Sequence, residues 1–203
     1  MELRPELPTD HDAVRDVHLA AFGDTGRLVA DLTDDLRSLL PPAGSPMPGS
    51  ADEARHGAPG ELSDGGAAAG LSLVAVDGGR VVGHVMFTRS LLDAPKRLVD
   101  VLVLSPLGVL PGRQGRGVGT ALVRRGLELL RGTGVPLVFL EGHPGYYSRL
   151  GFEPGGELGF CKPSQRIPDA AFQVHRLPAY RPWMTGTLVY TEIFWRHDAV
   201  GLR

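Results

Sequence analysis

Residues 107–123, LGVLPGRQGRGVGTALV, set Gly115, Gly117 and Gly119 at alternate positions, with Arg113 and Arg116 among them, between two apolar runs. Such a joint can simply turn a strand into a helix. It can also bind an anion, because successive main-chain N–H groups converge in one concavity and the positive end of the following helix dipole adds to them. Glycines admit φ > 0 and let a phosphate approach the backbone. Three or four charge-assisted hydrogen bonds of ~1.5–3 kcal/mol would supply much of a micromolar affinity, about 8 kcal/mol.

Three phosphate motifs compete for this loop. A P-loop needs Gly-Lys-Ser/Thr after its second glycine; Gly112 and Gly117 have the spacing, but Val118 and Gly119 follow, so that reading fails. The dinucleotide fingerprint fits Gly115 and Gly117, and Glu141 stands about where a ribose-binding acid would. Against it, Thr120 replaces the third glycine, and residues 110–114 separate strand from loop. The third pattern, Gln-x-x-Gly-x-Gly, is met by Gln114, Gly117 and Gly119, preceded by Val109-x-Pro111.

This third pattern resembles the acetyl-CoA motif of the GNAT superfamily of N-acetyltransferases. The resemblance widens to GHVMFT at 83–88, SPLGVLPGRQGRGVGTALV at 105–123 and EGHPGYYSRLGFEP at 141–154, which are similar to the YhbS-type branch. It extends to the terminal FQVHRLPAYRPWMTGTLVY and leaves only the 41–70 segment without a counterpart. The resemblance implies an α/β fold with a mixed, mainly antiparallel central sheet, splayed in the middle and flanked by helices. It also implies acetyl-CoA as co-substrate and a primary amine, on a small molecule or a peptide, as acceptor.

Carried over residue by residue, the resemblance puts the pantetheine arm and thioester on the backbone of Leu107, Gly108 and Val109, with the Val109 amide as oxyanion donor. The pyrophosphate falls to Gln114, Gly115, Arg116, Gly117, Val118, Gly119 and Thr120, with Arg113 and Arg116 as phosphate partners. Tyr147, four residues before Gly151, takes the place of the tyrosine that gives a proton to the departing thiolate and touches the coenzyme; Tyr146 reads as packing. The glutamate that some relatives carry on the fourth strand is replaced here by Pro106. An amine of pKa ~10.4 is almost wholly protonated at neutral pH, so a base is still required. His84, His143, Glu141, Asp100 or a chain of waters could serve, with the two histidines foremost. A coenzyme-binding module without catalysis is the alternative that the missing glutamate raises, and a dinucleotide-binding protein is the more distant one.

These residues need elements to hold them. Thr9 or Asp10 can cap a helix with Val14, Val17, Ala21 and Phe22 on one face, and Leu28 to Leu40 continue the helical period from about Gly26 until Pro41-Pro42. Residues 41–70 are rich in Pro, Gly, Ala and Ser and have no period, so they read as a flexible insertion or a lid. LSLVAVDGGRVVGHVMF predicts a hairpin about Asp77 to Arg80, and Leu98 to Leu110 a strand with a bulge or splay near Pro106. A helix follows the glycine loop, then a buried strand VPLVFLEG, a short helix at 146–150, a strand entered at Gly151-Phe152 and a closing strand TGTLVYTEIF.

The totals bound the rest. A chain of 203 residues makes one acetyltransferase-sized domain, and a net charge of −2 provides no global basic field for nucleic acid or an anionic membrane. The single cysteine, Cys161, excludes an internal disulfide and a multi-cysteine zinc site, and reads as a small buried residue; no metal is expected. The acidic N-terminus and interrupted apolar runs point to a cytoplasmic protein, which could pair with a second copy through a sheet edge or helix face.

Overall fold

The computed structural model describes residues 1–41 and 70–201. Nine strands and five helices run in the order β1 (Glu2–Pro5), α1 (His11–Ala21), α2 (Gly26–Leu36), β2 (Leu71–Asp77), β3 (Arg80–Asp93), β4 (Leu98–Val109), α3 (Val118–Leu130), β5 (Leu137–Glu141), α4 (Pro144–Tyr147), β6 (Glu153–Pro154), β7 (Phe160–Cys161), β8 (Phe172–Arg176), β9 (Gly186–Val189) and α5 (Glu192–Arg196), among the described residues. The expected insertion at 41–70 falls, apart from Pro41 and Gly70, outside them.

The strands form one sheet in the order β1-β2-β3-β4-β5-β8-β6, with β9 pairing both β3 and β7. Its pairs are antiparallel except β4 with β5 and β7 with β9. This is the mixed, mainly antiparallel sheet expected. Both faces are covered, so the central strands read as continuous apolar runs whose alternate residues serve opposite cores. Val101, Val103, Leu137 and Phe139 pack towards Leu32 and Leu36 of α2 and Phe194 of α5. Leu102, Leu104, Val138 and Leu140 pack on the other face with Leu122 and Leu127 of α3 and with Tyr146 and Tyr147.

Where β3 meets β4, the register steps from Phe87↔Leu104 to Val85↔Leu107, so Ser105 and Pro106 together face Met86. That is the bulge expected from Pro106. Beyond it β5 leaves the ladder: its pairing with β4 covers only Leu102↔Val138 and Val103↔Phe139.

Two expectations require correction. The closing strand stops at Val189 instead of running to Phe194, because β3 offers β9 only Leu91, Leu92 and Asp93 as partners. Past that edge Thr191, extended at φ −62° and ψ 154°, starts α5, which turns Ile193 and Phe194 into the core. Cys161 is exposed, not buried. In the two-residue β7, Phe160 takes the inward position and alternation turns its neighbour outward. The initial strand β1 and strand β8 had no separate signal in the sequence pattern.

Candidate active site

The glycine loop begins as a turn of 3-10 helix at Pro111–Arg113 and passes through Gly115 and Gly117, both at positive φ, into α3. Gly117 is the cap of α3, at φ 82°, a conformation that side chains disfavour. The first helical bond is donated by the Ala121 N–H to the Gly117 carbonyl at 2.9 Å, so the N–H groups of Val118, Gly119 and Thr120 have no acceptor within the helix. Gln114, Gly115, Arg116 and Gly117 are exposed, as an anion seat requires. Arg116 has no carboxylate partner among the described residues, whereas Arg113 is engaged by Asp77 at 2.6 Å across the β2–β3 turn.

The backbone of β4 adds the second component. Leu110 donates to the Val82 carbonyl at 3.0 Å, and the register sets Gly108 opposite His84 and Val109 opposite Gly83. Bonded and unbonded pairs alternate in an antiparallel ladder, so Gly108 and Leu110 spend their main-chain groups on β3. Those of Leu107 and Val109 turn to the opposite edge, where β5 has departed. The Val109 carbonyl is met there by the Gln114 side-chain amide at 3.0 Å.

A cavity of about 370 Å³ opens at this splay. Ser105, Pro106 and Leu107 form one wall, Phe22, Thr25, Val29 and Leu32 another, and Glu141, Tyr147, Tyr190, Phe194 and Ala199 complete it. Tyr147 belongs to the α3 side and Tyr190 and Phe194 to the α2 side, so the cavity passes between β4 and β5 from one face of the sheet to the other. Tyr147 packs edge-on against Tyr146 and Phe152. Its ring lies over Gly142, where an added Cβ would stand 2.3 Å from Cε2. Burial, with Tyr146 beside it, holds the Tyr147 hydroxyl well above its ordinary pKa, so it stays protonated. Tyr146 reaches the other way: its hydroxyl stands 2.8 Å from where a Cβ on Gly119 would be.

Glu141 accepts hydrogen bonds from the Tyr190 hydroxyl and the Gly201 N–H, each at 2.9 Å. Burial raises its pKa from the ordinary value despite both bonds. It is the carboxylate of the cavity wall, and Tyr190 and Gly201 reach it from 49 and 60 residues away in sequence.

The two histidines singled out in sequence are not brought to this cavity. His143 is exposed and caps α4, its ring beside Gly145. His84 is fully buried on the α1 face, with Nδ1 2.8 Å from His18 Nε2 and Nε2 2.8 Å from Ser72 Oγ. Ser72 donates to Glu6 at 2.5 Å, and Arg37 holds Glu6 from the other side at 2.7 Å. Burial opposes ionisation of Glu6, but hydrogen bonds from His84, Arg37 and Ser72 outweigh it and hold its pKa far below the usual carboxylate range. The donor order that satisfies most atoms runs from His18 through His84 and Ser72 to Glu6, leaving His18 Nδ1 without a partner among the described residues. Burial, then His84, holds His18 neutral. Asp100 is paired with Arg89 at 2.6 Å. Sequence reasoning missed Tyr190, Phe194 and the α1–α2 wall, whose distances along the chain carry no motif.

A glycine-capped helix start follows a splayed strand whose Leu107 main chain and Val109 N–H turn away from β3, and a tyrosine stands at the gap. The family model described as an acetyltransferase (GNAT) domain matches residues 52–155. The chain belongs to the GNAT acetyltransferase family. Among its GNAT relatives, the uncharacterized N-acetyltransferase YjhQ of Escherichia coli K12 is 40% identical over 129 residues, covering 62% of this chain and 71% of that protein. The crystal structure of the GNAT protein YhbS from Escherichia coli, in complex with CoA, superposes with a TM-score of 0.73 at 28% identity, over 96% of this chain and 92% of that one. A GNAT acetyltransferase from Brucella melitensis, in complex with acetyl-CoA, gives 0.64 at 29% identity, over 95% and 97%. No helix among the described residues is long and apolar enough to cross a membrane, and they contain no cluster of His, Cys, Asp or Glu able to hold a metal ion.

Proposed function

We propose that this protein transfers an acetyl group from acetyl-CoA to a primary amine by direct attack. The observation that carries the reading is the Leu107 main chain and the Val109 N–H, turned away from β3 at the splay, beside a cleft that Tyr147 closes on one face of the sheet and Glu141 on the other. The residues fit the coenzyme: the amides from Gly115 to Thr120 and the Arg116 guanidinium take the pyrophosphate, the Gln114 N–H being spent on the Leu110 and Pro111 carbonyls, and Leu107 and Val109 hold the arm, while Gly108, bonded to β3, spaces them. Acetyl-CoA supplies the activated acetyl thioester. The Val109 N–H faces the negative charge that develops on the thioester oxygen.

Tyr147, held protonated, donates a hydrogen bond to the departing sulfur. A thiolate of pKa ~8.5 leaves more readily when so bonded, and the tyrosine need not lose its proton outright. On the opposite face Glu141 accepts the proton of the amine. Its raised pKa makes it a stronger base than an ordinary carboxylate, and apolar walls disfavour the ammonium–carboxylate ion pair relative to the neutral pair. His84 and His143 have no part in this step, since one is spent on a buried network and the other lies outside the cleft. Holding the two reactants as near-attack partners contributes the larger share of the rate.

Calorimetry with acetyl-CoA and thiol release with an amine panel test the proposal. Glu141→Gln is expected to keep acetyl-CoA affinity and to lose turnover by about 10²–10⁴-fold. In the native protein the acid limb of kcat/KM should lie above the ordinary carboxylate value of 4.5, because the base form is lost as pH falls through a raised pKa. Tight acetyl-CoA binding with silence from every amine would favour a coenzyme-binding module instead. No acetyl-CoA binding at all would end both readings.

A further inference from the structure

The cleft described above also bears on the kind of amine it takes. Its described walls present one carboxylate, Glu141, and no lysine or arginine. The remaining polar groups are hydroxyls: Thr25, Ser105, Tyr147 and Tyr190, of which Tyr190 is committed to Glu141 and Thr25 to the Phe22 carbonyl. Phe22, Val29, Leu32, Pro106 and Phe194 make the acceptor side apolar. At about 370 Å³ the cleft lies in the lower part of the ~300–1,000 Å³ typical of ligand sites, and it must hold the thioester end of the coenzyme as well as the amine.

The neighbouring acids of α2 do not extend this charge. Asp31 and Asp34 are both bound by Arg15 at 2.5 Å, and Asp35 by His197 at 2.8 Å. Asp24, beside Thr25, is exposed and does not line the cleft, so a second ammonium entering it would be desolvated with no counter-charge among the described lining residues, whereas an apolar body would gain by leaving water.

We propose that the acceptor is a compact monoamine with an aromatic or aliphatic body, seated against Phe22, Val29 and Phe194 with its nitrogen at Glu141, and that polycations are refused. This rests on the acetyl-transfer reading and narrows it. Phenethylamine as acceptor should exceed spermidine and kanamycin in kcat/KM by at least about 100-fold, the expected penalty for one buried unpaired ammonium. Thr25 lies exposed at the rim of the cleft, and Thr25→Asp should narrow the preference over spermidine about tenfold by adding a second carboxylate.

A measurement without turnover separates this proposal from the one beneath it. Calorimetry of CoA-saturated protein should detect phenethylamine, lose it in Glu141→Gln, and detect no spermidine. Binding in that pattern without acetylation would leave the specificity standing and remove the catalytic reading. Acetylation of spermidine or kanamycin as well as or better than phenethylamine would overturn the specificity while preserving the enzyme. Absence of phenethylamine binding would overturn it as well.

Discussion

Gly142→Ala tests the geometry of the cleft by displacing Tyr147 without altering the chemistry of any group assigned a role. Gly142 follows Glu141 at the end of β5 and takes no positive φ, so alanine suits its backbone. The new methyl would lie 2.3 Å from Tyr147 Cε2 and 2.8 Å from Cδ2. Ordinary contact begins at 3.4 Å, and 3.4 less 2.3 leaves about 1.1 Å by which the ring must retreat. It cannot simply pivot, because Tyr146 and Phe152 stand edge-on to it at centroid distances of 4.8 and 5.7 Å. A misplacement of ~1 Å at a reacting group is worth about 10²-fold. The hydroxyl's own contribution, one hydrogen bond to a charged sulfur, is ~1.5–3 kcal/mol, which gives about 10- to 150-fold for Tyr147→Phe. The assay is steady-state thiol release, with acetyl-CoA affinity followed by calorimetry. Gly142→Ala should lower kcat by 10- to 100-fold with acetyl-CoA affinity changed less than about threefold, and in a Tyr147→Phe background it should cost little more. Full activity in Gly142→Ala, or an equal loss with and without the tyrosine hydroxyl, would refute the assignment of Tyr147.

Two further outcomes are expected. Stability should fall with acid in two stages: His18 has a depressed folded pKa, so below about 6.5 the unfolded chain binds a proton that the folded one refuses, and below about 4.5 Glu6 adds a second term of the same sign. Denaturant melts from pH 8 to 3 read this as a slope approaching ~1.4 kcal/mol per pH unit for each proton, and His18→Gln should flatten the first stage. Gly117→Ala forces a side chain into the left-handed cap of α3 and should raise KM for acetyl-CoA about tenfold while leaving KM for the amine unchanged, as initial rates would show.

Much of the cleft was legible because its chemistry is local. The glycine loop is contiguous, its geometry is set by residue type, and Tyr147 is tied by short spacing to Gly151. Pro106 announced the bulge because proline has no N–H to give a ladder. What could not be read depends on partners chosen by the fold. Whether TGTLVYTEIF stays a strand depends on how far β3 reaches, and the raised pKa of Glu141 comes from burial by distant segments, against the lowering effect of Tyr190 and Gly201. His84 in GHVMFT reads as a candidate base, but His18 and Ser72 occupy both of its nitrogens, and nothing in the local sequence shows them. Cys161 was misjudged because apolar character alone does not say which side of a two-residue strand faces in.

The contact between Tyr146 and Gly119 makes the two ends of the cleft a fixed ruler. The start of α3 and the aromatic pair at the gap are braced against each other, so with the coenzyme placed as proposed the span from diphosphate to sulfur would be set by the protein and not by the flexible arm that must cover it. An acyl donor with a shortened or lengthened arm could satisfy either end, but it could not satisfy both.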